Sequence, residues 1–314
     1  MPELPEVETI ARDLTGHILN RRITTVEVFS AKTVSPRGAV FKKNLLGRKI
    51  TKIARRGKLL ILSLLPQSGG NKKLSPEPWI YLLIHLKMTG QLIYIDKNSR
   101  VAGGHSLKAV SKAVQPAESE AWSASVGGKL PNSHTRALLK FNGGGQLFFN
   151  DLRKFGYLKL ATAAELEKLL KNNYGPEPLT PAFSFPAFSA ILKNKKTKIK
   201  ALLLDQKAIA GLGNIYVDET LYAARLKPTR AAGSLKPAEI RALWLAINRI
   251  IGLAIKHRGT TFSDYVDSRG RPGNFSRFLR VYGRSGEKCP SCHGPILKTK
   301  VAGRGTHYCP NCQK

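Results

Sequence analysis

Pro2 and Glu3 are the first residues of this chain whose types suggest chemistry. Removal of Met1 would leave Pro2 with a free secondary α-amine. An α-amino group titrates at about 7.7–8.0, far below a Lys side chain at about 10.4, so a useful fraction is unprotonated near neutrality. Such an amine attacks carbonyl-like carbons to give Schiff bases. Glu3, Glu6 and Glu8 follow at once, in a chain with 52 Lys+Arg against 20 Asp+Glu. Pro and acidic residues also suit an ordinary helix start, through fixed φ and the macrodipole, so residue types alone leave both readings open.

A second chemistry lies at the far end. Cys289, Cys292, Cys309 and Cys312 are the only four cysteines and follow the pattern C-x2-C-x16-C-x2-C. Two thiolate pairs on tight turns, brought together by a hairpin, make the tetrahedral sulfur site that Zn2+ accepts. Two disulfides in a secreted tail would be the other use. The N-terminus does not read as a signal peptide and no further cysteine exists, so one structural Zn2+ is the expectation. His293 and His307 lie close by, but four sulfurs fill the site and both are read as non-ligands.

Three further constellations carry possible contacts to a polyanion. Lys195-Lys196-Thr197-Lys198-Ile199-Lys200 leads into a short apolar helix, followed by Gly211-Leu212-Gly213-Asn214 at the start of another. The glycines permit a tight turn, Asn214 is placed as an N-cap, and free N–H groups there suit a phosphate. An ordinary turn between helices fits the same spacing. Met88 in His85-Leu86-Lys87-Met88-Thr89-Gly90, and Arg153 with Phe155 in Asp151-Leu152-Arg153-Lys154-Phe155-Gly156, follow strands. On loops they could enter a base stack and fill the space of an extruded nucleotide. As core residues, Met88 and Phe155 would have no such role.

Composition narrows the partner. The formal charge is +32 over 314 residues and the pI about 10.3, which points to nucleic acid, with an anionic membrane a distant second. No apolar run reaches the roughly 18 residues a membrane span needs. Charge alone does not separate DNA from RNA, or enzyme from packaging protein.

The elements that must position these groups follow from periodicity. Val7, Ile10, Leu14 and Ile18 predict a helix over residues 2–19. Apolar, β-branched runs at 23–29, 50–54, 59–65, 79–86, 91–95, 137–141, 146–150 and 157–161 predict an antiparallel sandwich or barrel. Residues 67–78 and 97–133, rich in Gly, Ser, Lys and Pro, read as surface loops or disorder. A helix is expected near 163–172, a linker at 174–179, and helices over 185–193, 199–204, 215–223 and 237–256. A polar loop at 259–274 and a zinc hairpin close the chain.

The order of these motifs resembles one family. Pro2-Glu3-Leu4-Pro5-Glu6-Val7-Glu8-Thr9-Ile10 closely resembles the N-terminus of formamidopyrimidine-DNA glycosylases, bifunctional enzymes that excise oxidised purines from DNA. The stretch from Gly211 to Glu219 resembles their helix–two-turn–helix element. The resemblance runs from Pro2 to Gln313 and misses mainly the two loop expansions. It implies an α+β fold: an N-terminal antiparallel β-sandwich with a leading helix, and a C-terminal helix–two-turn–helix domain with a four-cysteine zinc hairpin. The expected bounds are 1–172, a linker at 173–181, 182–279 and 280–314, with DNA in a basic cleft.

The same resemblance implies roles. Pro2 is the nucleophile, Glu3 the nearby acid/base, Lys58 of Arg55-Arg56-Gly57-Lys58-Leu59-Leu60 an active-site lysine, and Arg304 a zinc-hairpin residue that binds phosphate and assists the second elimination. Lys200 and Asn214 hold backbone phosphates, with Lys195 a further DNA contact. Met88, Arg153 and Phe155 take the wedge positions, and His134 is a DNA contact. Glu6 supports the site or caps the helix. Residues 268–275 resemble the loop over the damaged base in 8-oxoguanine-type enzymes rather than the endonuclease VIII branch, which prefers oxidised pyrimidines. The implied partner is damaged double-stranded DNA, bound by a monomer in the cytoplasm with the nucleoid. A zinc-dependent DNA binder without catalysis, and a basic RNA-binding zinc-ribbon protein, are the competing readings. Intact Pro2, Glu3 and Lys58 argue against the first, and the N-terminal motif against the second.

Overall fold

The computed structural model describes residues 2–65, 80–105, 118–260 and 274–314. They form two compact units: Met1–Leu170 with Arg258–Asn274, and Lys171–His257 with Phe275–Lys314.

In the first unit, helix α1 (Leu4–Ile18) buries Val7, Ile10, Leu14 and Ile18. It begins two residues later than the apolar spacing predicts. Glu3 is extended (φ −105°, ψ −171°) and occupies the N-cap, so Pro2 and Glu3 stand outside the helix. The expected strands are all present: β1 (Ile23–Val28), β3 (Lys49–Arg56), β4 (Leu59–Leu65), β5 (Ile80–His85), β6 (Gly90–Ile95), β8 (Thr135–Phe141), β9 (Gln146–Asp151) and β10 (Tyr157–Ala161). A two-residue strand β2 (Val34–Ser35), a strand β7 (Arg100–Gly104) and a short helix α2 (Ala39–Leu45) add to them. The sheets run β1-β8-β9-β6-β7 and β2-β10-β5-β4-β3. All pairings are antiparallel except β2 on β10. β4 is buried almost throughout and β5 at its centre, Leu82–Ile84, as apolar runs within a sheet core must be. The main core joins α1 to both sheets through Ile10, Leu14, Leu62, Leu82, Leu92 and Phe149.

The described parts of the stretch 97–133 depart from the loop expectation, and residues 106–117 lie outside the described residues. The stretch contributes β7, paired with β6, and helix α3 (Glu118–Val126). Ala102, Trp122 and Val126 form a separate apolar cluster with Ile93, Leu138 and Phe148. A few apolar side chains suffice because the sheet already supplies the other half of the contact, which a Gly- and Ser-rich composition conceals. Residues 67–78, and the part of the 259–274 loop from 261 to 273, lie outside the described residues.

The second unit is helical. α4 (Ala163–Asn173), most of which belongs to the first unit, leads into α5 (Phe185–Leu192), α6 (Ile199–Leu204), α7 (Asn214–Ala223) and α8 (Pro237–Lys256). Ser184 caps α5, accepting from Ala187 N. Pro237 sits in the first turn of α8, where its missing N–H leaves nothing unsatisfied. Leu203, Tyr216, Val217, Leu221, Leu243, Ile247 and Ile251 are buried. A hairpin of β11 (Leu297–Val301) and β12 (Arg304–Tyr308) completes it. The molecule is thus α+β: a sandwich with a leading helix, and a helical unit with a four-cysteine hairpin. Among the described residues no helix is long and apolar enough to cross a membrane.

Candidate active site and nucleic-acid interface

The start of α1 is built to hold two residues in place. Pro2 is buried and Glu3 is only 3% exposed. Glu6 Oε2 accepts from the Glu3 N–H at 2.8 Å, which fixes the backbone beside Pro2. Glu6 Oε1 accepts from the backbone N–H of Thr260 at 2.8 Å. The neighbouring Gly259 has φ +79°, and a Cβ there would lie 2.5 Å from Glu6 Oε1. Arg258 donates to both Asp13 oxygens, at 2.9 and 2.6 Å. Residues 258–260 therefore brace α1 through Glu6 and Asp13. Glu6 serves as a support, as its sequence position suggests.

Lys58 occupies a two-residue turn between β3 and β4, with Gly57 at φ +56°. Gly at the first turn position meets the positive φ such hairpins need. Lys58 is itself buried, at 5% exposure. Arg55 ties this turn to α1: its Nε donates to Glu8 Oε2 at 2.9 Å and its Nη1 to Gly57 O at 3.1 Å. Burial alone would raise the Glu8 carboxyl, but hydrogen bonds and charge from Arg55 and Arg12 hold it below the ordinary carboxylate range. The turn with Lys58 and the helix that starts beside Pro2 and Glu3 are thus coupled by one ion pair. Leu59 pairs with His85 across β4 and β5. Burial, followed by the charges of Lys87 and Lys58, lowers His85 to about 3. Its imidazole is neutral at pH 7, and Nδ1 accepts from Lys87 N at 3.0 Å.

The two loops with Met88, Arg153 and Phe155 meet at Asp151, the last residue of β9, which is 0% exposed. Phe155 is 53% exposed and Met88 half-buried, so neither is a core side chain. The Arg153 guanidinium stands 4.6 Å over the Phe155 ring. His134 is half-buried, and its carbonyl accepts from Asp151 N at 2.9 Å. The three residues the sequence offers as wedge positions and the separate contact His134 are gathered at one end of the sandwich. Asp151 and Thr89, which organise them, escape sequence reasoning because their partners are distant in the chain.

In the second unit, Lys195 is exposed on a loop pinned by Gly233, whose N–H donates to Lys195 O at 2.8 Å. Two expectations change. Asn214 is the first residue of α7 rather than its cap, which is Gly213 (φ −138°, ψ −167°). Asn214 Nδ2 donates to Gly305 O at 2.9 Å. Lys200 is 0% exposed, and its Nζ lies 2.6 Å from Asp218 Oδ1. It also donates to Gly305 O at 3.1 Å. An ammonium sequestered in this way does not meet a phosphate. Lys200 instead fastens the hairpin, together with Asp218, whose Oδ2 accepts from His307 N at 2.9 Å.

Arg304, exposed, follows the hairpin turn directly. Ala302 and Gly303 both have positive φ (51° and 72°), the requirement of a tight two-residue turn matched to strand twist. At the other end, the four cysteine sulfurs lie within 4.8 Å of one another. Cys289 and Cys312 Sγ are 3.8 Å apart, Cys292 and Cys309 Sγ 3.4 Å. A tetrahedral ion with bonds of about 2.3 Å needs edges of about 3.8 Å, so the donor set fits one structural Zn2+. His293 and His307 stay outside the set. Tyr222 Oη lies 3.3 Å from Cys289 Sγ and 2.8 Å from Ser291 Oγ, orienting that ligand from behind.

Comparison with known proteins follows the same division. Residues 1–158 match the formamidopyrimidine-DNA glycosylase N-terminal domain, residues 174–266 the formamidopyrimidine-DNA glycosylase H2TH domain, and residues 286–314 the zinc finger found in FPG and IleRS. A formamidopyrimidine-DNA glycosylase of Desulforamulus reducens is 41% identical over 318 residues, covering 100% of this chain and 99% of the relative. A variant of the Lactococcus lactis enzyme in complex with Fapy-dG containing DNA superposes with TM-score 0.80 at 34% identity, covering 100% of both chains. The complex of the Lactococcus lactis enzyme with an abasic site containing DNA gives TM-score 0.78 at 34% identity, again covering 100% of both chains.

Proposed function

This chain belongs to the formamidopyrimidine-DNA glycosylase family, and we propose that it excises oxidised purines from duplex DNA and then cleaves the abasic strand. The observation that carries the residue assignment is the placement of Pro2 and Glu3. They precede α1 rather than join it, Glu6 holds the Glu3 N–H, and the Glu8–Arg55 pair ties α1 to the strand that leads into the turn with Lys58.

The steps follow from that placement. Once Met1 is gone, the Pro2 nitrogen attacks C1′ of the extruded nucleotide as the bond to the base breaks. Glu3 moves the accompanying proton, consistent with a carboxyl held in a largely buried site. That displacement leaves Pro2 N and O4′ together on C1′; protonation of O4′ and breaking of the C1′–O4′ bond then open the sugar and give an iminium between Pro2 and C1′. It acidifies the C2′ proton, whose removal expels the 3′ phosphate. Loss of a C4′ proton then expels the 5′ phosphate, and hydrolysis of the iminium frees Pro2. Lys58 assists the chemistry, and Arg304 supplies positive charge to the second elimination. Met88, Arg153 and Phe155 fill the space of the extruded nucleotide, with His134, Lys195 and Asn214 as further DNA contacts. The zinc ion folds the hairpin and takes no part in bond breaking.

The chain acts as a monomer on chromosomal DNA, with the nucleoid in the cytoplasm. Incision of duplexes containing 8-oxoguanine, formamidopyrimidine or thymine glycol tests the reading. Faster cutting at the two purine lesions is expected. Preference for thymine glycol would move the chain to the oxidised-pyrimidine branch, and binding without incision would make it an inactive reader of damage.

A further inference from the structure

Both loops with proposed wedge residues are held by one buried carboxylate. Asp151 Oδ1 accepts from Thr89 Oγ1 and, at 3.2 Å, from Arg153 N. Asp151 Oδ2 accepts from Gly156 N at 2.7 Å. Its backbone carbonyl accepts from Arg136 Nε at 2.8 Å. Thr89 closes the circuit, since its Oγ1 also accepts from Arg153 N at 3.0 Å. One loop lies between β5 and β6, the other between β9 and β10, and their sequence separation is 64 residues at the Thr89–Arg153 contact.

Neither loop has freedom at its ends. A Cβ at Gly90 would lie 2.4 Å from Leu86 O, and one at Gly156 would lie 2.8 Å from the Phe149 ring. Lys87 and Lys154, each next to a wedge residue, are held at φ 50° and 59°. Left-handed backbone at two non-glycine residues persists only where surroundings over-determine it. For Lys154 the surroundings are the shared carboxylate, which accepts from the N–H groups of Arg153 and Gly156, and Lys87 is held by its own N–H, donated to His85 Nδ1 at 3.0 Å.

We propose that Asp151 and Thr89 are positioning residues that make the Met88 loop and the Arg153–Phe155 loop a single rigid wedge, so that they enter the base stack together rather than in turn. This inference rests on the wedge reading of Met88 and Phe155 given above. The contacts of Asp151 with Thr89 and Gly156 are buried and those of Arg153 N part-buried, and loss of the hydroxyl bridge alone would leave Asp151 Oδ1 and Arg153 N with weaker, less directional partners. A wedge in two independently moving halves would enter more slowly, because each half must be ordered separately at the moment of insertion.

Thr89→Val removes the hydroxyl at nearly constant volume, and Thr89→Ser restores it. The full-length protein is mixed with a duplex in which 2-aminopurine adjoins a tetrahydrofuran abasic analogue, and the fluorescence rise on unstacking is followed by stopped flow. Insertion should slow roughly ten- to a hundredfold in Thr89→Val, the scale of one lost hydrogen bond to a charged group, and recover in Thr89→Ser. Borohydride trapping on a single-stranded abasic oligonucleotide should stay within about twofold of native, since no stack must be entered. Met88→Ala and Phe155→Ala should be strongly non-additive in the native background and nearly additive with Thr89→Val. A native insertion rate and unchanged non-additivity in Thr89→Val would overturn the inference. Failure of Met88→Ala to slow insertion in the native background would instead overturn the wedge reading itself. If Thr89→Val melts early, Asp151→Asn gives a second route. Its amide would face either the Gly156 N–H or the Arg153 N–H with a donor, so it must slow insertion at least as much.

Discussion

At the scale of single residues, Glu6 and His85 give the sharpest expectations. Glu6 joins Glu3 N to Thr260 N, and Gly259 leaves room for its carboxylate. Gly259→Ala adds left-handed strain of at least about 1 kcal/mol and drives a methyl into Glu6. It should lower the melting temperature and slow base excision, while affinity for undamaged duplex stays near native. Excision at the native rate would separate Glu6 from the placement of Pro2. His85 is lowered to about 3 by burial and by Lys87 and Lys58. The unfolded state therefore binds the extra proton between about pH 6.5 and 3, and stability falls as pH drops through that window. His85→Gln should flatten this part of the urea-midpoint profile relative to native. Identical profiles would mean that the imidazole is not held neutral. Neither effect is legible in sequence, since His85 reads only as a strand end and Gly259 only as a loop residue.

At the scale of elements, periodicity finds whatever buries a continuous face. α6 and α8 have the limits that spacing predicts, and β4 through β6 agree within a residue or two. The failures share one cause: a partner supplied by distant chain. β7 and α3 contribute few apolar groups and depend on a sheet formed elsewhere. Asn214 is expected to cap α7, yet its amide is engaged by Gly305, 91 residues away. Lys200 lies in a basic run that suggests a phosphate contact, yet Asp218 and the hairpin bury it. Lys200→Met would leave Asp218 charged and unpaired, at a cost of about 3–5 kcal/mol. Lys200→Met with Asp218→Asn should recover most of the lost melting temperature, because an amide still accepts from His307 N. A single variant as stable as native would show that the pair is exposed in solution. The zinc hairpin, by contrast, is fully announced by its cysteine spacing. Purified protein should contain one Zn2+ per chain. Cys309→Ser should release it, unfold the hairpin and weaken DNA binding, with the sandwich still folded; full zinc and full affinity would contradict this.

At the scale of the whole molecule, a charge of +32 makes affinity a function of salt. The slope of log affinity against log salt should be about −0.9 per phosphate neutralised on a duplex. Substituting alanine for exposed Lys195, Arg153 or Arg304 should each make the slope shallower by about one unit. The Lys200→Met/Asp218→Asn pair should leave it unchanged, because Nζ of Lys200 does not reach solvent. A slope that ignores all three exposed cations would remove them from the interface. The charge, the cysteines and the N-terminal motif are readable from the sequence and identify the family, whereas the hold of Glu6 on the backbone beside Pro2 and the Glu8–Arg55 tie between α1 and β3 require the fold. The measurement that bears most directly on the whole account is borohydride trapping on 8-oxoguanine duplex, followed by peptide mapping of the covalent product. The account predicts one crosslink per chain, on the Pro2 nitrogen, abolished when Met1 or an N-terminal tag is retained. A crosslink on Lys58, or full incision by a chain with a blocked N-terminus, would contradict it.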